Sequence, residues 1–319
     1  MMRLSVIIPG YNTPKESWER CVRSVLRAAS IAVGNDFEVV CVDDGSGNEN
    51  RPQDAWFNDN RVTILRLEKN KGQSVARNCA LDFVKGQYIS FVDSDDEVFE
   101  NVYKKGLEAL TRSNDDIALF GVRTVWCKEG MCKDNSMPRE CNLELSDEKL
   151  MTVYGNCLFE YVWNKIYKRS FLDAHGIRFL EWMCPGEDTE FNLRCLSFSP
   201  RWSIIDYVGY VYYRNDGSSL SRYLPRYVES AQYKALAWRK TLPCKMAEWN
   251  DNIAVRVEWA NMWRLHSPVS LMQRWRFARD NRLSFLSKFV LTIVRRFLYI
   301  RSLRRMRLRR MYRGVKEWQ

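Results

Sequence analysis

Three groups of carboxylates, each placed where an apolar run or a turn ends, carry the chemistry this sequence offers. Residues 88–92 (YISFV) are apolar and aromatic-rich, which predicts a buried strand. The run stops in Asp93-Ser94-Asp95-Asp96, with Glu97 next. Carboxylates at that density repel one another unless a cation or an exposed loop relieves them. The Asp93-x-Asp95 alternation lets two side chains converge on one hard divalent ion that a substrate's phosphates also hold. The plain alternative is an acidic turn capping the next helix. A second run, 37–42 (FEVVCV), ends in Asp43-Asp44-Gly45-Ser46, and Glu187-Asp188 follows Pro185-Gly186. Acids at strand ends point to the carboxyl edge of an open α/β sheet, where such folds bind ligands. The set suits an enzyme that holds a nucleotide diphosphate and then deprotonates an acceptor hydroxyl.

The elements that must position these groups follow from periodicity. Residues 4–9 (LSVIIP), 37–42, 62–67 and 117–126 predict strands, and 73–84 predicts a helix. A further helix opens near Thr13-Pro14-Lys15-Glu16, with Thr13 as cap, Pro14 at the first helical position and Glu16 completing a capping box. Residues 98–112 and 147–159 read as helical, and 127–142 as a polar surface excursion. Residues 162–167 (VWNKIY) precede a helix reaching about His175. Residues 202–206 and 210–214 read as two short strands. The alternation of strands and helices predicts an α/β fold with a mostly parallel sheet covered on both faces.

Composition bounds the rest. The 319 residues carry a formal charge of +11, with 46% hydrophobic and 13% aromatic residues, enough for a substantial core. Ten cysteines lack a paired CxxC framework, and Cys21, Cys41, Cys79 and Cys195 lie in apolar contexts as small core residues. That usage implies a reducing, cytoplasmic setting. Neither a signal peptide nor a membrane-spanning run is expected.

The sequence resembles a family 2 glycosyltransferase of the inverting type with the GT-A fold. The resemblance rests on 5–12 (SVIIPGYN), 42–46 (VDDGS), 70–78 (NKGQSVARN), 91–96 (FVDSDD), 163–172 (WNKIYKRSFL) and 186–191 (GEDTEF), in that order over roughly residues 1–220. It implies a GT-A catalytic domain over 1–220 and a helical region over 221–319. By the same resemblance, Pro9 and Tyr11 line the nucleobase pocket and Asp44 accepts a uracil ring N–H. Arg77 reaches the base or diphosphate. Asp93 binds ribose or metal, and Asp95 binds the metal, Mn2+ or Mg2+. Asp188 is the general base and Glu187 orients or supports it. Lys165 and Arg169 are further candidates for the diphosphate or acceptor, or else pack the fold. The loop 214–221 would close over the donor. His175 and His266 read as structural.

The implied function is transfer of a sugar from a nucleotide-sugar, a UDP-sugar, to a hydroxyl of a glycan or lipid-linked acceptor in surface polysaccharide or glycolipid synthesis. From Arg274 onward 15 Lys/Arg face two acids, a net +13, so the remainder is close to neutral. Leu286, Val290, Ile293, Phe297 and Ile300 recur at helical spacing among those arginines. Residues 284–319 therefore predict a basic amphipathic segment lying on the anionic inner face of the membrane. The competing readings are a nucleic-acid-binding protein acting through the basic tail, an inactive scaffold of the same fold, and a nucleotidyltransferase.

Overall fold

The computed structural model describes residues 2–214 apart from 129, 137–141, 144–158, 184, 185 and 199. The expected helix at 147–159, the loop beyond 214, His266, the helical region over 221–319 and the basic tail lie outside the described residues.

One sheet organises the chain, in the order β3-β2-β1-β4-β9-β6-β10-β5, with β7 added to β6 and β8 to β10. Its strands are β1 (Leu4–Gly10), β2 (Phe37–Asp43), β3 (Val62–Arg66), β4 (Tyr88–Phe91), β5 (Glu97–Val98), β6 (Ile117–Trp126), β7 (Met131–Asn135), β8 (Asn142–Leu143), β9 (Lys165–Lys168) and β10 (Trp202–Arg214). The helices are α1 (Lys15–Val33), α2 (Asp54–Phe57), α3 (Gln73–Phe83), α4 (Val102–Ser113), α5 (Arg169–Ala174) and α6 (Glu187–Ser197). β1 is buried from Leu4 to Pro9 because the sheet is covered on both of its faces, and its one polar side chain, Ser5, pairs with Glu38 at 2.7 Å. The sheet is parallel across β3-β2-β1-β4 and between β6 and β10, and β9 enters antiparallel between β4 and β6.

The register sets the position of the acids. Gly10 pairs with Asp43, Asp43 with Arg66, and Ile7 with Phe91, so β1, β2, β3 and β4 finish along one edge. Phe91 anchors the end of β4, meeting Tyr167, Phe179 and Phe191 edge-on at ring separations of 5.9, 5.3 and 6.0 Å. Asp93 therefore leaves from a fixed point. α1 packs against α4 and α3 against β1 and β2.

Several sequence expectations need correction. The helix over 98–112 starts later, at Val102, because Glu97–Val98 pairs with β10 instead. The two strands over 202–206 and 210–214 are one strand, with register shifts between Ile205 and Tyr210 where the polar Asp206 breaks the apolar pattern. The excursion at 127–142 contains β7, which returns along β6 as an exposed edge. Thr13 makes no cap: α1 begins one residue further on, Pro14 stands at the cap position, and the Thr13 hydroxyl shares a 2.7 Å hydrogen bond with Ser94.

Candidate active site

The loops leaving β1 and β2 are tied together. Asp44 donates its backbone N–H to the Gly10 carbonyl at 2.9 Å, and Asn12 donates to the Ser46 hydroxyl at 2.8 Å. Asn12 Oδ1 accepts the Gly47 N–H at 2.9 Å, and Asp43 Oδ1 accepts that of Ser46 at 2.9 Å. Gly45 is needed within this turn: its φ is +75°, and a Cβ would stand 2.4 Å from the Lys69 backbone. Asp44 is buried, and its two oxygens each accept a backbone N–H at 2.8 Å, from Lys71 and Gly72. Burial raises its carboxyl above the ordinary range against the pull of those two donors. Each oxygen keeps a second lone pair for a ligand. Pro9 is buried within β1, while Tyr11 is exposed at the lip of the same edge.

Arg77 holds the centre. It lies on α3, is 1% exposed, and stacks its guanidinium over Phe179 at 5.2 Å. Nη1 donates to Asp188 Oδ1 at 2.6 Å and Nη2 to Asp93 Oδ1 at 3.0 Å; Glu187 Oε1 stands 4.0 Å from Nη1. One planar fork thus joins the acid after β4 to the acid that opens α6. The sequence motif places Arg77 on a helix facing the site but does not say that its two amino groups are taken by carboxylates.

Glu187 is more buried than Asp188, with side chains 4% and 15% exposed. Gln73 donates to its Oε1, and Oε2 is buried with no partner. Burial, then the neighbouring Asp188 charge, push Glu187 up to about 7 against Arg77. Asp93 is pushed up to about 6, by burial first, with Arg77 opposing and Asp188 and Asp95 adding. Asp188 opens more to the cleft, and its Oδ2 accepts the Val162 N–H at 3.4 Å.

The rest of the acidic loop is structural. Tyr210 donates to Asp96 Oδ2 at 2.8 Å and accepts the Asp93 N–H at 3.1 Å, while Asp96 Oδ1 accepts the Tyr213 N–H at 2.8 Å. Asp96 is fully buried. Arg20 pairs with Glu97 at 3.0 Å and donates to the Asp95 carbonyl at 2.6 Å. Strand β10 and α1 therefore clamp the loop while Asp95 remains exposed. Asp96 was indistinguishable from Asp93 and Asp95 by sequence, because its partners lie 114 and 117 residues away.

Two further candidates move. Lys165 is fully buried, and its Nζ donates to the carbonyls of Phe159, at 3.1 Å, and Tyr161 and to Asn164 Oδ1 at 2.9 Å. It faces the fold, not a diphosphate, and burial lowers its amine to about 7. Arg169 pairs with Asp173 at 3.2 Å on α5. His175 stacks on Phe198 at 4.0 Å, as a structural residue would. Among the described residues no cluster of three His, Cys, Asp or Glu stands ready for an ion. Asp93 and exposed Asp95 nevertheless fit Mn2+ or Mg2+, which take one or two carboxylates and complete their shell with water and substrate phosphates.

The acids joined by Arg77 thus stand at the carboxyl edge of an α/β sheet, where such folds bind their ligands. The chain belongs to glycosyl transferase family 2, whose family model matches residues 5–176. It is similar to EpsH of Bacillus subtilis, at 24% identity over 88% of this chain and 79% of EpsH. It is also similar to the poly(ribitol-phosphate) beta-N-acetylglucosaminyltransferase TarP of Staphylococcus aureus, at 29% identity over 66% of this chain and 63% of TarP. The chain thus spans less than two thirds of TarP. The fold is that of S. aureus TarS 1–349, with a TM-score of 0.67 at 22% identity over 90% of this chain and 81% of that one. TarS 1–349 in complex with UDP-GlcNAc matches with a TM-score of 0.65 at 21% identity, over 88% and 80%. The GT-A fold expected from the motifs is the fold found.

Proposed function

We propose that this chain is an inverting transferase moving a sugar from a UDP-sugar to a hydroxyl of a glycan or lipid-linked acceptor, in surface polysaccharide or glycolipid synthesis. The observation that carries this reading is the Arg77 fork, which fixes Asp93 and Asp188 on either side of one guanidinium, at 3.0 and 2.6 Å. It sets an acid of the nucleotide edge beside a partly open acid suited to proton removal. TarS is solved with UDP-GlcNAc, and TarP is named for transfer of N-acetylglucosamine, which supports a UDP-sugar donor here.

Asp188 accepts the acceptor proton as that oxygen attacks the anomeric carbon. The bond to the diphosphate breaks in the same step, on the opposite side. Arg77 and the Val162 N–H keep the Asp188 carboxylate oriented. Glu187 stays inside, steadied by Gln73. Asp44, Pro9 and Tyr11 form the base pocket and Asp93 reaches the ribose or metal. Mn2+ or Mg2+ held by Asp93 and Asp95 would neutralise charge on the departing diphosphate.

The enzyme works in the cytoplasm, with residues 284–319 resting on the anionic inner face of the membrane. The net charge of +13 from Arg274 onward supports this, since each basic residue near such a leaflet contributes about 1 kcal/mol. Among the described residues no helix is long and apolar enough to cross a membrane.

A thermal-shift series with UDP, CDP and GDP tests the donor class. UDP at about 100 times its dissociation constant stabilises by about 2.7 kcal/mol, with far smaller effects from CDP and GDP. Equal protection by all three refutes the uracil pocket.

A further inference from the structure

A tyrosine hydroxyl has one proton to give, and in the acidic loop that limit orders a chain of contacts. Tyr210 Oη accepts the Asp93 N–H at 3.1 Å and gives its own proton to Asp96 Oδ2 at 2.8 Å. Asp96 Oδ1 accepts the Tyr213 N–H at 2.8 Å, and the Asp96 N–H returns to the Asp93 carbonyl at 3.0 Å. Both main-chain polar groups of Asp93 are thereby taken, and its carboxylate is held by Arg77 at 3.0 Å. Asp96 is fully buried, so its carboxylate serves the loop as a fixed acceptor and does not meet solvent.

Strand β10 holds Tyr210 firmly. The ring is fully buried and stacks on Trp163 with centroids 4.3 Å apart and planes 18° apart. Gly209 before it has no room for a side chain: a Cβ would stand 2.5 Å from Val102 Cγ2 and 2.6 Å from Phe120 Cδ2. The register against β6 shifts between Ile205 and Tyr210, an irregularity of the kind that re-aims a side chain beside a site. Directly after the loop, Glu97 pairs with Val211 and Val98 with Tyr210, and the Tyr213 hydroxyl donates to Glu97 Oε1 at 2.6 Å. The acidic loop therefore starts and finishes against one short stretch of β10, residues 210–213.

We propose that Tyr210 is a positioning residue for the metal-binding pair: its hydroxyl, turned by Asp96, fixes the main chain at Asp93 and with it the spacing of the Asp93 and Asp95 carboxylates. The inference rests on the reading above that these two acids hold Mn2+ or Mg2+. Mg2+ demands near-ideal octahedral geometry, and two carboxylates on one short loop meet that demand only when the loop keeps one conformation. Asp95 is exposed, so its place follows from the turn closed between Asp93 and Asp96 and from the bond that its carbonyl accepts from Arg20. Asp44 stands on a different loop, tied to Gly10, Lys71 and Gly72. Loss of the Tyr210 hydroxyl therefore weakens the metal-dependent part of nucleotide binding and spares the rest.

Calorimetry on the full chain measures the Kd for UDP with Mn2+ and in EDTA, for wild type, Tyr210→Phe and Tyr167→Phe. Tyr210→Phe keeps the ring stacked on Trp163 and removes only the hydroxyl. Tyr167→Phe is the control for lost stability: it removes another fully buried tyrosine hydroxyl, whose partner is Asn192 Oδ1 at 2.7 Å, outside the acidic loop. Tyr210→Phe raises the UDP Kd about tenfold with Mn2+ and less than about twofold in EDTA. Tyr167→Phe keeps the wild-type gain from Mn2+ even where its unfolding midpoint falls as far. Asp96→Asn reaches the same bond from its other end, since an amide NH2 turned to Tyr210 cannot accept its proton, and shows the same selective loss should Tyr210→Phe fail to fold. A wild-type gain from Mn2+ in Tyr210→Phe, a loss equal with and without the ion, or the same selective loss in Tyr167→Phe overturns the positioning role and leaves the metal assignment intact. Equal UDP affinity of the wild-type chain with Mn2+ and in EDTA overturns the metal assignment and this inference with it.

Discussion

Replacing Arg77 with methionine would remove the fork while keeping much of the side-chain volume and its packing on Phe179. Three carboxylates would then face one another without their shared cation: Asp93 and Asp188, now at 3.0 and 2.6 Å from it, and Glu187 at 4.0 Å. Removing one partner of a buried charged pair costs about 3–5 kcal/mol, because the other partner stays buried and uncompensated. The loss should depend on pH. Asp93, at about 6, and Glu187, at about 7, are already above their ordinary range, and Arg77 is what restrains them. Without it both rise further. A carboxyl whose folded value exceeds its unfolded value makes the folded state bind the extra proton, so stability falls as pH rises through that window. Protonation relieves the repulsion at low pH. Urea unfolding of wild type and Arg77→Met, compared at about pH 5.5 and about pH 8.5, should therefore show the larger deficit at the higher pH. A deficit below about 1 kcal/mol at both, or one that grows as pH falls, would refute the fork as the electrostatic centre of the site.

Two further outcomes follow from the same geometry and sequence. Asp95→Asn should abolish metal-dependent binding of UDP while leaving the unfolding midpoint nearly unchanged, because Asp95 is exposed and its loop is held through Asp96 and Arg20; unchanged calorimetric affinity for UDP with Mn2+ contradicts the metal assignment. Removal of residues 284–319 should end co-sedimentation with anionic vesicles at low salt and leave transfer to a soluble acceptor intact; equal sedimentation of both forms rejects the membrane contact.

The parts of this protein governed by local pattern were legible in the sequence. β1, β2 and β6 are predominantly apolar runs rich in branched and aromatic residues, and α3 keeps its helical spacing to within a residue of the expected end. The acids at strand ends fell on one edge because register follows from the parallel pairing of those strands. What escaped was set by distant partners. Val98 looked like the start of a helix until β10 claimed Glu97–Val98 as a strand. Thr13 looked like a cap, but Ser94 lies 81 residues away in sequence and takes its hydroxyl. Lys165 stood open between a diphosphate or acceptor contact and a packing role because a sequence does not reveal three oxygen acceptors waiting in the interior. Arg77 carried a motif signal, yet its joining of Asp93 and Asp188 depends on α6 arriving 111 residues later.

If Asp188 removes the acceptor proton, its loss should stop transfer while Asp44, Asp93 and Asp95 still hold the donor. The most direct measurement is Asp188→Asn, assayed for both UDP binding and transfer. Asparagine is nearly isosteric and can still accept from Arg77, so the site should keep its shape. Calorimetric UDP affinity should stay close to wild type while transfer falls by about 10²- to 10⁴-fold, the usual worth of a positioned general base. Transfer at the wild-type rate in Asp188→Asn, or a greater loss in Glu187→Gln with Asp188→Asn still active, would contradict it.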